Sequence, residues 1–141
     1  MIRLWERDDL KKIASMHSAC FIDAWSLEML NGSFDGNNFY GALVEDKGEI
    51  LATVCYLVTF EEAEMLSVVT KTSERGKGYA EKLLRFAETD LKKTGVNAVF
   101  LEVREGNTPA INLYKKAGFN EISKRKNYYG DETAVIMKKE L

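Results

Sequence analysis

The chain has 141 residues, 45% of them apolar and 30% charged, with a formal net charge of −2. This is the size and balance of one globular domain, expected to span residues 1–141, too apolar for a disordered chain, and its slightly negative net charge argues against generic nucleic-acid binding. Cys20 and Cys55 have no His, Cys or acidic neighbours at metal-ligand spacing, so neither a metal site nor a disulfide framework is expected, and both read as buried, reduced thiols.

Residues 1–6 carry no basic stretch leading into an apolar one, and no later apolar run approaches membrane-spanning length. A cytoplasmic protein without nucleic-acid or membrane partners is the expectation. A short strand near residues 2–6 leads to a helix from about Asp9, with Asp8 as a possible cap. Leu10, Ile13, Ala14, His17 and Phe21 share one face of it. His17, the single histidine of the chain, lies on that apolar stripe and reads as a packed core residue. Ser26 caps a short second helix through Leu30, and residues 31–38, rich in Asn, Gly and Asp, read as a loop.

Residues 39–45 and 50–60 form a hairpin around Asp46-Lys47-Gly48-Glu49, and residues 65–70 are a further strand. From Tyr79 the period becomes helical, with Ala80, Leu83, Leu84, Ala87 and Leu91 on one face and Gly95 beyond the end. Residues 96–103 read as a buried strand. Thr108 followed by Pro109 suits a helix start, and Gly118 stops that helix. Residues 120–125 and 133–139 are the closing strands. The order β-α-α-β-β-β-α-β-α-β-β gives a mixed α/β (α+β) sheet with one parallel strand pair and a right-handed crossover.

The stretch from Val68 to Ala80 runs from a strand through a glycine-bearing turn into an amphipathic helix. Gly76 and Gly78 let successive N–H groups converge, and a helix N-terminus adds about half a positive charge, so the turn is a candidate diphosphate cradle flanked by Arg75 and Lys77. It lacks the spacing and hydroxyl of a Walker A loop and the third glycine of a Rossmann fingerprint. The plain alternative is a turn shaped by glycine with no ligand. Glu102, near the C-terminal end of a buried strand, is a candidate base, or else a carboxylate paired with Arg104. Tyr114, beside Ala110, Leu113 and Ala117, is by itself most simply a core aromatic.

Arg75, Gly78 and Ala80, together with Asn107, Tyr114, Gly118 and Phe119, resemble two hallmark motifs of the GCN5-related (GNAT) N-acetyltransferases. The strings Leu101-Glu102-Val103-Arg104, Gly118-Phe119-Asn120-Glu121 and Arg125-Lys126-Asn127-Tyr128-Tyr129 most resemble the RimI-type ribosomal-protein alanine N-acetyltransferases. Gly106 stands where those enzymes commonly have serine, Ala24 where they have proline, and the segment between Tyr129 and Ala134 is shorter.

The resemblance implies the acyl-CoA N-acyltransferase fold, about seven strands with four helices and a splayed parallel pair. It also implies acetyl-CoA as cosubstrate, no metal, and an acceptor that is the N-terminal amine of a protein such as a small-subunit ribosomal protein. It further implies that Glu102 is the general base and Tyr114 the acid for the departing thiolate. The cofactor residues would be Val68, Val69, Arg75, Gly76, Lys77, Gly78, Tyr79, Ala80, Asn107 and Tyr114. Phe21, Trp25, Asn127, Tyr128 and Tyr129 would frame the acceptor peptide. A splayed strand would free the Val69 N–H to stabilise an oxyanion. A small amine or a lysine side chain as acceptor, or a CoA-holding module without turnover, are the alternatives. The acidic run Glu61, Glu62 and Glu64 reads as a solvated face.

Overall fold

The computed structural model describes residues 1–20, 26–130 and 132–141, leaving aside the side chains at 20 and 127–129. Strand β1 (Ile2–Leu4) precedes helices α1 (Leu10–Cys20) and α2 (Leu27–Phe34). A meander follows, β2 (Phe39–Asp46), β3 (Glu49–Thr59) and β4 (Glu62–Thr70), and then helix α3 (Tyr79–Lys93), strand β5 (Ala98–Arg104) and helix α4 (Thr108–Lys116). The chain closes with β6 (Asn120–Tyr129) and β7 (Glu132–Glu140). The strands form one seven-stranded sheet in the order β1-β2-β3-β4-β5-β7-β6. The element order and the mixed sheet are those expected from the sequence, and β4 and β5 are its parallel pair.

Alternation along the strands sorts side chains between two layers. Val54, Tyr56, Met65, Val99, Leu101 and Val103 face α3, whose Leu83, Leu84, Ala87 and Leu91 complete the larger core. Leu43, Ile50 and Cys55 face the other way, against Trp5, Leu10, Ile13 and Leu30. Burying a side chain of this size contributes about 1.5–3 kcal/mol, so the apolar stripes read in the sequence suffice to dock both helical layers. The β2–β3 turn needs positive φ at two successive positions, found at Lys47 (52°) and Gly48 (78°).

Four local expectations are corrected. A short 3-10 turn, Arg7–Asp9, precedes α1, and it is Asp9 rather than Asp8 that closes the entry: its Oδ2 accepts from the Glu6 N–H at 2.7 Å. Asp9 also takes Arg3 at 2.8 Å, which holds its carboxyl below the ordinary range. Helix α2 is capped by Ser26 as expected but runs on to Phe34, because Leu30 is fully buried and Phe34 packs edge-on against Phe39. Asn107, not Thr108, caps α4, its Oδ1 accepting from the Ala110 N–H at 3.3 Å. The strand read as residues 120–125 extends to Tyr129, since β7 pairs with it as far as Tyr129↔Glu132. Cys55 is a buried free thiol.

Candidate active site

The parallel pair is short. β4 and β5 are in register only at Glu62↔Ala98, Ala63↔Val99 and Glu64↔Phe100. Beyond that point β4 stays with β3 through Thr70, and β5 stays with β7 through Arg104, so the two strands part. The divergence has a local cause: Cys55 pairs with Ser67 while Tyr56 pairs with Met65, which leaves Leu66 as the extra residue of a β-bulge. A bulge bends its own strand and increases the twist.

Lys71 donates its N–H to Leu51 at 2.8 Å. Backbone groups alternate along an antiparallel ladder, so Val69, in register with Thr53, also turns its N–H to β3. The N–H groups of Val68 and Thr70 therefore face the gap. This corrects the expectation that the Val69 donor is freed. The strand does splay, but the register presents the neighbours of Val69.

Below the gap, on the α3 face, lies a cavity of about 940 Å³. Val68, Val69, Arg75, Gly76, Lys77, Gly78, Tyr79, Ala80 and Asn107 all line it, as do Thr70, Pro109 and Leu113. Gly76 and Gly78 both have φ of 81°, a left-handed conformation that favours glycine. Gly78 is the N-cap of α3 and brings no capping side chain, so the first-turn amides open onto the cavity. Arg75 is tethered, its Nε donating to Thr70 O at 3.4 Å, while Lys77 pairs with Glu74 at 2.6 Å.

Glu102 points to the other face. Its β5 neighbours Leu101 and Val103 go into the α3 core, so Glu102 and Phe100 turn toward the α1 side. There Glu102 lines a smaller cavity of about 340 Å³ with Leu57, Glu62, Glu64, Phe100 and Ile136, at the point where β4 and β5 separate. Its carboxylate is 27% exposed and lies 3.5 Å from the Arg125 guanidinium. The expected rival partner, Arg104, pairs instead with Glu132 at 3.5 Å.

Tyr114 belongs to the α3 face. It follows Ala110 by one helical turn, which sets it beside the large cavity rather than among its lining residues, and it packs edge-on against Phe119 with ring centroids 6.0 Å apart. Burial pushes its hydroxyl up to about 12, so it holds its proton at neutral pH. Glu102 and Tyr114 thus lie on opposite faces of the sheet, Glu102 at the fork and Tyr114 packed into the α3-side core.

The sequence profile described as "Acetyltransferase (GNAT) family" matches residues 8–119. The chain belongs to the GNAT acetyltransferase family. A [ribosomal protein bS18]-alanine N-acetyltransferase of Haemophilus ducreyi is 30% identical, over 97% of each chain. The Escherichia coli enzyme of the same name is 31% identical, over 94% of this chain and 91% of its own. A crystal structure of the ribosomal-protein-S18-alanine N-acetyltransferase from E. coli superposes with a TM-score of 0.92 at 28% identity, over 99% of this chain and 92% of that one.

As a GNAT acetyltransferase the protein draws its acetyl group from acetyl-CoA, and the large cavity fits that cosubstrate. An uncapped helix N-terminus approached through two left-handed glycines is a cradle for a diphosphate, and the volume is at the upper end of the range for small-molecule sites. Asn107 is on the cavity wall although its side-chain oxygen is spent on capping α4.

Some residues at the two cavities had no sequence signal. Thr70 depends on register, and Arg125 reaches Glu102 across β7, from its place opposite the small Ala134. Glu62 and Glu64 are exposed, as a solvated face requires, and they also line the smaller cavity. Pro109 and Leu113 could have been found from their spacing on α4. Phe21 and Trp25 lie outside the described residues; Asn127, Tyr128 and Tyr129 are in β6, their side chains outside the description. Among the described residues no His, Cys, Asp and Glu cluster could hold a metal, and no helix is long and apolar enough to cross a membrane.

Proposed function

We propose that this GNAT protein is a one-domain cytoplasmic enzyme that acetylates the N-terminal α-amine of a protein, with a small-subunit ribosomal protein beginning with alanine as acceptor. The observation that carries the reading is the open fork between β4 and β5, with a carboxylate on one face and a diphosphate cradle on the other. The acceptor named for the H. ducreyi and E. coli relatives supports the choice of amine.

In this reading Glu102 receives the proton of the acceptor ammonium, directly or through one water. An α-amino group with pKa near 8 needs far less assistance than a lysine near 10.4, so a partly buried carboxylate is an adequate base. The Val68 and Thr70 amides hold the pantetheine arm and polarise the thioester carbonyl, a role best filled by donors that need no reorganisation. Tyr114 keeps its proton until a thiolate departs beside it. The first turn of α3, from Gly78, takes the diphosphate, with Arg75 and Lys77 screening its charge. Phe21, Trp25, Asn127, Tyr128 and Tyr129 are the residues that would contact the peptide.

Mass spectrometry of ribosomal-protein N-termini from cells with and without this chain tests the acceptor. One alanine N-terminus should lose its acetyl group when the chain is removed. An unchanged set of N-termini contradicts the assignment.

A further inference from the structure

The only histidine of the chain sits in the last turn of α1 with no exposed surface. Its Nε2 lies 3.4 Å from Ser67 Oγ, and Ser67 Oγ lies 3.3 Å from Cys55 Sγ. An imidazole, a hydroxyl and a thiol can be joined in one run of hydrogen bonds with the protons ordered either way. His17 follows the buried Ile13 by one helical turn on the face that enters an apolar cluster, and such a face does not by itself call for a histidine.

Ser67 is the residue just past the bulge. In a regular strand Leu66 and Ser67 would point to opposite faces. Here Leu66 packs into the cluster around Trp5 and Ile13, and Ser67 reaches His17 on that same side. The bulge therefore fixes the parity of everything after it. Losing the extra residue, so that β4 beyond it slips by one against β3, would turn Val69 to the gap in place of Val68 and Thr70, since a one-residue slip reverses each direction along a strand.

We propose that His17 is a positioning residue of the acyl-transfer site, anchoring the β4 bulge through Ser67 so that the Val68 and Thr70 amides stay turned to the gap. This rests on the gap being the thioester slot. It makes α1, whose end leads into the acceptor-framing residues, also the clamp on the strand that aims the acetyl group. Desolvation lowers the His17 pKa to about 4, so the clamp is a neutral imidazole at ordinary pH.

The test uses the full chain with His17→Leu, Ser67→Ala, the double variant and His17→Gln, which retains a hydrogen-bonding end group. With acetyl-CoA and a peptide beginning with alanine, His17→Leu and Ser67→Ala should each lose between about 10- and 100-fold in kcat, the range for a small misplacement of reacting groups. KM for acetyl-CoA should change little, because the cradle at Gly78 is untouched. The double variant should be no worse than the worse single one, and His17→Gln should recover much of the rate. Wild-type kcat in both single variants well below their Tm, or losses that multiply in the double variant, overturns the proposal. Hydrogen exchange needs no acceptor: the Val69 amide, bonded to β3, should lose protection in His17→Leu and Ser67→Ala. Unchanged protection overturns the clamp, whereas lost protection in variants of a wild type that fails to acetylate the peptide leaves the clamp standing and removes the acceptor assignment.

Discussion

Glu102 and Arg125 meet at 3.5 Å across an intervening strand, β7, beside the smaller cavity at the fork between β4 and β5. Arg125 stands opposite Ala134, which stands opposite Arg104, and the small alanine lets the guanidinium lie over the sheet toward Glu102. The carboxylate is thereby held beside the smaller cavity.

Glu102→Gln keeps the shape and removes the base. Loss of a positioned general base costs about 10²–10⁴-fold. The deficit in kcat/KM should be greatest at low pH, where an unassisted amine stays protonated, and should shrink toward high pH. A pH–rate series with a peptide acceptor checks this, and a deficit constant across pH speaks against the base role.

Tyr114→Phe should lower kcat by about 10²-fold or more while leaving acetyl-CoA affinity nearly unchanged, because in the proposed mechanism the hydroxyl acts on the departing thiolate and not on the diphosphate. Calorimetric titration with acetyl-CoA alongside steady-state kinetics separates the two effects. Equal turnover in the variant removes Tyr114 from the chemistry.

At Gly78 an added Cβ would meet nothing within 4 Å, so the effect of Gly78→Ala comes from the backbone at φ 81°. A left-handed alanine costs about 1–2 kcal/mol. A lower Tm and a weaker acetyl-CoA affinity are expected together, since relaxing φ would re-aim the first-turn amides of α3. Retained affinity would show that the cradle tolerates the change.

His17 gives a pH dependence with a definite sign. Its folded pKa of about 4 lies below the ordinary 6.5, so the unfolded chain binds the extra proton first. The stability is fully present above pH 6.5 and is lost as pH falls from there toward 4, on the order of 2–3 kcal/mol in all for a shift of this size. Denaturant unfolding across that window should show wild type losing stability relative to His17→Gln. Parallel curves would mean that the imidazole is not desolvated.

Much of the site was legible because its parts are local. Arg75, Gly78 and Ala80 announce the cradle within six residues, and Gly118-Phe119 marks the end of α4, as found. What sequence missed depends on register or on distant packing. The freed donors are at Val68 and Thr70 because of an extra residue at Leu66, and nothing in the string Glu64-Met65-Leu66-Ser67 distinguishes a bulge from a straight strand. Asn31 and Gly32 have poor helix propensity, yet α2 continues through them because Leu30 and Phe34 bury against the sheet. Glu62 and Glu64 are solvated charge as read, and only the parallel pairing of β4 with β5 shows that they share a cavity with Glu102.

The most direct single measurement is to mix the chain with acetyl-CoA and a peptide beginning with alanine, following free thiol and peptide mass together. Thiol released in step with acetylation confined to the peptide's α-amine is the expected result. A lysine acetylated in its place would contradict the acceptor, and no thiol release with this or any other amine would contradict acyl transfer at the β4–β5 fork.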